Sequence, residues 1–212
     1  MTNALEMMAL QKWEDLEALL KRLEVKKIGL MIREFFIPLL QGLAAQISKG
    51  QISISQEHIF SAFLKEKIYT LLSHLNSSNK KTKSKAKGAR FVLASPEGDF
   101  HETGLLLAHL LIRSQGYTSL YLGPHTPVQD LSETALRFHA SHILIVSTVS
   151  KLGGARHELL SFVSEVQKKV GQGVHILIAG GQVPTSSLRK PSLSILRDFS
   201  SLELFLQSMK ER

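Results

Sequence analysis

The sequence predicts a two-part α/β protein, in which a small N-terminal helical bundle precedes a domain built on a five-stranded, parallel, doubly wound sheet. Residues 4–75 follow helical periodicity, whereas residues 90–212 alternate short apolar runs with amphipathic segments. A lysine-rich stretch lies between the two patterns. We therefore expect a helical domain at 1–78, a basic linker at 79–89 and an α/β domain at 90–212.

The helical part contains three or four predicted helices. Its first 23 residues space their large apolar side chains three and four positions apart, as one face of a helix requires. A second helical stretch runs to Gly50, which is a plausible stop, and we expect a break or kink near Pro38. Ser55 is the expected N-cap of the helix that follows.

Five runs in the second part are typical of buried parallel strands. They are short, rich in β-branched residues and bounded by turn residues, and they span 90–94, 119–123, 142–147, 174–180 and, more weakly, 193–199. Amphipathic segments fill the gaps at 103–115, 128–140, 155–170 and 200–210. Apolar strands that alternate with helices predict βαβ units and a flavodoxin-like, Rossmann-like domain.

Composition excludes several classes of protein. The chain has no cysteine, which removes disulfides, thiolate nucleophiles and cysteine-based metal sites. No uninterrupted apolar run reaches the roughly 18–20 residues of a membrane span, and no secretory signal pattern opens the chain. We therefore expect a cytoplasmic protein without a membrane partner.

The net charge of +8 depends on one segment. Six lysine and arginine side chains lie between residues 80 and 90, and without them the balance is +2. This segment lacks apolar periodicity and reads as a solvated linker. A strip that contacts nucleic-acid phosphates is the alternative interpretation.

Polar and glycine residues follow three of the predicted strands. In doubly wound sheets, ligands bind beyond the carboxyl ends of the strands. Nucleotide and zinc-protease motifs (G-x-G-x-x-G, G-x-x-x-x-G-K-[ST] and H-E-x-x-H) are missing from the sequence, which argues against a dinucleotide site, a P-loop and a zincin. The candidate residues at these strand ends are Asp99, His101, Ser147, Gly180, Gly181 and Gln182.

These residues form a pattern that resembles a known signature. D-x-H-x-x-G at 99–104, Ser147-x-Val149 and Gly180-Gly181 are similar to the D-x-H-x-x-G…S-x-L…G-G of cobalamin-binding domains, with valine in place of the usual leucine. Forty-two residues separate Gly104 from Ser147, and thirty separate Val149 from Gly180, spacings similar to the family's.

The resemblance implies a ligand set. His101 would displace the cofactor's own base and ligate cobalt from below, and Asp99 would hold the other ring nitrogen of the imidazole. Gly180 and Gly181 would leave room for the nucleotide tail. The predicted cofactor-binding set in this part of the chain is Asp99, His101, Glu102, Thr103, Gly104, Ser147, Val149, Gly180, Gly181 and Gln182.

Within cobalamin proteins the chain is most similar to light-sensing transcription regulators of the CarH/LitR kind in the MerR family, especially at YLGPHTP, 121–127. This implies adenosylcobalamin as cofactor, with methylcobalamin as the alternative. In those regulators a bundle covers the upper cofactor face with W-x9-E-H. Here Glu57 and His58 match, but Ile47 stands at the tryptophan position and Ser48 at that of a second cobalt-ligating histidine.

We therefore predict a cobalamin-binding sensory or regulatory module that is not an enzyme and acts through homo-oligomerisation or a protein partner. No winged-helix segment is recognisable, so we expect DNA contact only indirectly or through a further domain. A corrinoid methyl carrier for a methyltransferase is the alternative, and a basic nucleic-acid-binding protein is a third interpretation. Histidines outside these motifs, His125 among them, are interpreted as structural.

Overall fold

A computed structural model describes residues 2–22, 28–82, 87–147, 153–180 and 191–210. The chain divides into two compact units, Met1–Ser84 and Lys85–Arg212. The first unit is helical and the second is α/β.

The helical unit is built around five α-helices within its described residues. Large apolar side chains on their inner faces are fully buried and form its core, among them Met8, Leu16, Phe36, Phe60 and Leu64. Trp13 stacks on Phe63 with ring centroids 6.4 Å apart, as expected of a bundle residue. The helices are α1 Thr2–Ala9, α2 Trp13–Lys21, α3 Ile28–Met31, α4 Ile37–Ser48 and α5 Ile54–Thr82.

Two local features of this unit differ from the sequence-based expectation. The irregularity expected near Pro38 is a π-helical turn, Ile32–Phe36, that joins α3 to α4. The N-cap of α5 is Ser53 and not Ser55. The Ser53 hydroxyl accepts from the Gln56 N–H at 3.2 Å, and the Gln56 side chain accepts from the Ser53 N–H at 2.8 Å. Ser53 is favoured because this capping box satisfies two backbone donors at once.

The helical run Ile28–Ser48 corrects one sequence-based statement. It is 21 residues long and apolar enough to cross a membrane by length and composition alone, although Arg33 and Glu34 interrupt the apolar residues. About a third of its most apolar stretch is buried, and the core helix of a soluble bundle can have the same length and composition.

The predicted linker at 79–89 overlaps regular structure at both ends. α5 continues to Thr82, and the first strand begins at Lys87. Residues 83–86 lie outside the described residues. The role of this segment as a linker stays a prediction.

The α/β unit confirms the predicted fold class. Its five strands are all parallel and lie in the order β2-β1-β3-β4-β5, the doubly wound order of flavodoxin-like domains. The strands are β1 Lys87–Pro96, β2 Tyr117–Thr126, β3 His142–Val146, β4 His175–Ala179 and β5 Leu193–Leu196. The helices are α6 Thr103–Ser114, α7 Val128–Arg137, α8 Gly153–Val170 and α9 Phe199–Ser208.

The strand order places the carboxyl ends of β1 and β3 side by side where the order reverses. Val92, Ile143 and Ile176 from the three central strands are fully buried against helices α7 and α8 in a continuous apolar core. This core fixes the sheet edge from which the loop after β1 and the residues after β3 and β4 emerge. Ligands of such sheets bind at this edge.

Candidate functional site

The loop after β1 pairs a buried carboxylate with an exposed imidazole. Nδ1 of His101 lies 2.9 Å from Oδ1 of Asp99, and the same oxygen accepts from the His101 backbone N–H at 3.0 Å. The side chain of Asp99 is 2% exposed and that of His101 is 74% exposed. An ionised carboxylate can only accept, so Nδ1 carries the proton and Nε2 offers its lone pair.

The backbone of this loop holds the carboxylate in place. The Asp99 N–H donates to the Pro96 carbonyl at 3.0 Å, which closes a turn directly after β1. Because the Asp99 side chain is buried behind the histidine, it can orient the ring without competing for the ligand. This is the usual partner arrangement of a metal-ligating histidine.

The ends of β3 and β4 meet at the same edge. Ser147 is buried, and its N–H donates to the Ala179 carbonyl at 2.9 Å. Gly180 follows Ala179 with φ 147°, a conformation that residues with side chains rarely adopt. A Cβ at this position would overlap the Ser147 carbonyl oxygen. Gly180 is therefore required by the packing of two strand ends, in addition to any role in ligand access.

Gly104 stands in a different environment. It is the second residue of α6, and a Cβ built on it would meet no atom of the described residues within 4 Å. The described residues therefore give no steric reason for a glycine here. Of the predicted neighbours, Thr103 begins α6, and Glu102 Oε1 accepts from the Tyr121 hydroxyl at 3.1 Å.

Three of the predicted site residues cannot be placed. Val149, Gly181 and Gln182 lie outside the described residues. The structure brings Asp99 and His101 together, and it brings Ser147 against Gly180. Their assignment to a cofactor stays a prediction.

The predicted cap residues belong to the helical unit. Ile47 is half-buried near the end of α4, and the Ser48 hydroxyl donates to the Ala45 carbonyl at 2.8 Å. Glu57 accepts from the Ser61 hydroxyl and lies 3.6 Å from Nε2 of His58, whose side chain is 74% exposed. Glu57 and His58 are therefore close neighbours on the surface of α5.

The sequence analysis does not predict the contact between His125 and Phe100. The His125 ring stacks on Phe100 with centroids 4.8 Å apart, and its Nδ1 accepts from the Gly98 N–H at 2.8 Å. The interpretation of His125 as structural stays a prediction. The approach of the β2 end to the loop after β1 could have indicated the contact.

Three other histidines are half-buried within the fold, and burial lowers the pKa of each. Burial lowers the pKa of His142 to about 4, with a contribution from neighbouring His175, whose own pKa burial also lowers. The His142 ring lies between Phe91 of β1 and Phe205 of α9. Burial likewise lowers the pKa of His109 to about 4, with Arg113 contributing. These imidazoles are part of the packing.

Among the described residues, no three His, Cys, Asp or Glu side chains cluster so as to hold a metal ion.

Part of the sequence resembles that of a known protein. No family model matches the chain. Over 97 residues it is 28% identical to the HTH-type transcriptional repressor CarA of Myxococcus xanthus, a match that covers 46% of this chain. The matched stretch is 30% of that relative, so the chain accounts for less than a third of its length.

A solved structure shows the same fold. The monomethylamine corrinoid protein of Methanosarcina barkeri superimposes with a TM-score of 0.71 at 14% identity, over 98% of this chain and 97% of that one. A cobalamin-binding protein from Desulfitobacterium hafniense DCB-2 is similar over 99% and 96% of the two chains at 14% identity, but its TM-score is 0.45. The chain therefore has the fold of a corrinoid protein and resembles, in sequence, the transcriptional repressor CarA.

Proposed function

We propose that the α/β unit binds cobalamin, with Nε2 of His101 as the lower axial ligand of cobalt. The observation that carries this proposal is the hydrogen bond between Asp99 and His101 at the edge where the strand order reverses. It leaves one ring nitrogen of an exposed histidine available, and neutral imidazole is a good ligand for such a metal.

The described residues fit this cofactor. The corrin ring supplies its own nitrogen ligands, so one imidazole at the edge is sufficient. Gly104 adds no bulk on the first turn of the helix that follows His101. The nucleotide tail would lie beside Ser147 and Gly180, where the missing side chain of Gly180 lets the two strand ends approach closely.

Each residue has a separate task in this proposal. Bound cobalamin supplies an organocobalt bond, which light can break or which can give up its carbon group. Asp99 keeps the proton on Nδ1 of His101, so that Nε2 stays a lone-pair donor and the ring keeps its orientation. Ser147 and Gly180 hold the strand ends that border the nucleotide tail.

We further propose that the chain is a sensory or regulatory module that uses adenosylcobalamin, with light or cofactor availability as the signal. The sequence similarity to CarA supports this, as does the retention of Glu57 and His58. The signal would pass through oligomerisation or a protein partner, and DNA contact would be indirect.

Reconstitution with adenosylcobalamin tests both the proposed cobalamin binding and the proposed light sensing. We expect a base-off, histidine-ligated spectrum in the dark, a spectral change on illumination, and a change in the size of the complex by gel filtration. A protein that leaves the cofactor base-on would overturn the binding proposal. Binding without any light-dependent change in size would overturn the light-sensing proposal alone.

A corrinoid methyl carrier is the second candidate. It is supported by the fold similarity to the monomethylamine corrinoid protein along almost the entire chain. A carrier would bind methylcobalamin at least as tightly as adenosylcobalamin and would pass the methyl group to an acceptor with a partner enzyme. Side-by-side affinities for the two cofactors separate the candidates.

A further inference from the structure

His125 is joined to the loop that carries Asp99 and His101 by three contacts. The Gly98 N–H donates to Nδ1 of His125 at 2.8 Å, and the His125 N–H donates to the Asp99 carbonyl at 2.9 Å. The His125 ring also lies almost parallel to that of Phe100, at 13° and 4.8 Å between centroids. These contacts touch the residues on either side of Asp99, and Asp99 itself.

The end of β2 is shaped to bring His125 there. The pairing of β1 with β2 shifts register between Leu93 and Ala94 and again between Ala94 and Pro96. Each shift adds a residue to β2, which lengthens that strand toward the loop after β1. Such bulges often redirect a side chain beside a functional site.

The backbone of His125 has an unusual conformation. Its φ is 51°, in the left-handed region that residues with side chains rarely adopt. Gly123, two residues earlier, also has a positive φ, and the Thr126 hydroxyl closes the turn on its carbonyl at 3.1 Å. A strained conformation held by this many contacts indicates a position where the side chain has a task.

We propose that His125 is a positioning residue, which fixes the loop after β1 so that Asp99 holds His101 in its ligating orientation. The inference rests on the proposed cobalamin site. His125 touches neither the cofactor nor cobalt in this account, and it acts through Gly98, Phe100 and Asp99. Its Nδ1 accepts a hydrogen bond, so its proton is on Nε2, the reverse of His101.

Three variants test this inference. His125→Ala removes the acceptor and the ring, and His125→Asn restores an acceptor in a residue that tolerates the left-handed region. His139→Ala is the matched control, because His139 has a φ of 49° and is exposed at the end of α7. It carries the same backbone strain without touching the loop.

The first measurement needs no cofactor. Long-range proton–nitrogen NMR of the cofactor-free protein reports which ring nitrogen of His101 carries the proton. We expect wild-type and His139→Ala to show a single Nδ1-protonated form. His125→Ala should show a mixture of tautomers, which His125→Asn should reverse at least in part.

The second measurement is the affinity for adenosylcobalamin. We expect His125→Ala to bind about tenfold more weakly than His139→Ala, because the loop that carries Asp99 and His101 would lose its hydrogen bond to the His125 ring and the ring contact at Phe100. If His125→Ala and His139→Ala both keep the wild-type tautomer of His101 and agree in affinity within about twofold, the inference is wrong.

If the wild-type protein binds no cobalamin, the proposed function fails, and the tautomer measurement still decides whether His125 positions His101. If His125→Ala does not fold, His125→Phe takes its place, because it keeps a ring beside Phe100 and removes the acceptor. A mixture of His101 tautomers in that variant supports the inference, and the single wild-type tautomer overturns it.

Discussion

The carbonyl oxygen of Ser147 occupies the space that a side chain at Gly180 would need. This places the two strand ends closer together than any residue other than glycine allows, and the φ of 147° adds to the restriction. Two of the three cobalamin-signature elements therefore meet through the backbone.

Gly180→Ala should lower the free energy of unfolding of the α/β unit by about 2 kcal/mol or more, because the methyl group must displace a backbone oxygen. Urea unfolding, followed by circular dichroism, measures this. Gly173→Ala is the matched control, since a Cβ there meets nothing within 4 Å, and we expect a change of no more than about 0.5 kcal/mol. Equal stability of the two variants would show that Gly180 is not sterically required.

A substitution at Gly104, unlike one at Gly180, should leave the stability of the protein intact and weaken cobalamin binding. Gly104→Leu has room in the cofactor-free protein and replaces a poor helix former, so stability should stay equal or rise by up to about 1 kcal/mol. Cobalamin affinity should fall by at least about tenfold, because the side chain would extend into the space proposed for the corrin. Isothermal titration with adenosylcobalamin checks this. Unchanged affinity would move the corrin away from α6.

The stability of the α/β unit should depend on pH through its half-buried histidines. The pKa values of His109 and His142 are lowered to about 4, below the ordinary value of about 6.5, and that of His175 is lowered too. At pH values between about 4 and about 6.5, the unfolded chain therefore binds more protons than the folded chain. The free energy of unfolding should therefore fall as pH drops from about 6.5 toward about 4.

Urea titrations at pH 7.5 and pH 5 measure this loss. The full pKa differences of His109 and His142 would give about 4 kcal/mol at pH 5, and because both rings are partly exposed to solvent we expect about half of that, about 2 kcal/mol. His142→Phe, which keeps a ring beside Phe91, should reduce the loss by about 1 kcal/mol, whereas His139→Asn on the surface should not change it. A pH dependence that is the same in all three proteins would mean that His142 is not its source.

Much of the fold was predictable because parallel strands that are buried on both faces have continuous apolar sequences. The runs at 142–147 and 174–180 are covered on both faces, so they read as continuous apolar segments, and the structure confirms strands there. β1 and β2 extend further than expected because their last residues pair through the backbone, which polar residues such as Thr126 do as readily as apolar ones.

The site was only partly predictable. Asp99 and His101 are two residues apart, so their contact follows from local geometry. The contact of His125 with Gly98 depends on two register shifts in a strand pair, which no periodicity reveals. The overlap at Gly180 depends in the same way on how β3 and β4 end. The N-cap of α5 was predicted at Ser55 and not at Ser53, because the choice between the two serines depends on the hydrogen bond that the Gln56 side chain accepts from the Ser53 N–H.

Photolysis should leave this protein without a bis-histidine cobalt adduct. Light-sensing relatives are expected to use a histidine at the position of Ser48, and a hydroxyl is a much poorer cobalt ligand than imidazole. Illuminated adenosylcobalamin complex should therefore give a water-bound or similarly weakly ligated cobalt, which denaturing desalting would separate from the protein. A stable bis-histidine spectrum would contradict this, and its loss in His58→Ala would identify His58 as the second ligand.

The most direct test of the account is the electron paramagnetic resonance spectrum of the cobalamin complex reduced to Co(II), with the protein labelled with ¹⁵N-histidine. The axial nitrogen splits each cobalt line, and ¹⁴N and ¹⁵N give different multiplets, so the label distinguishes a protein imidazole from the cofactor's own base. We predict that labelling converts the triplet splitting to a doublet, and that His101→Ala abolishes the protein-derived splitting. A triplet that persists in the labelled protein would show that the cofactor's base remains on cobalt and that His101 is not the ligand.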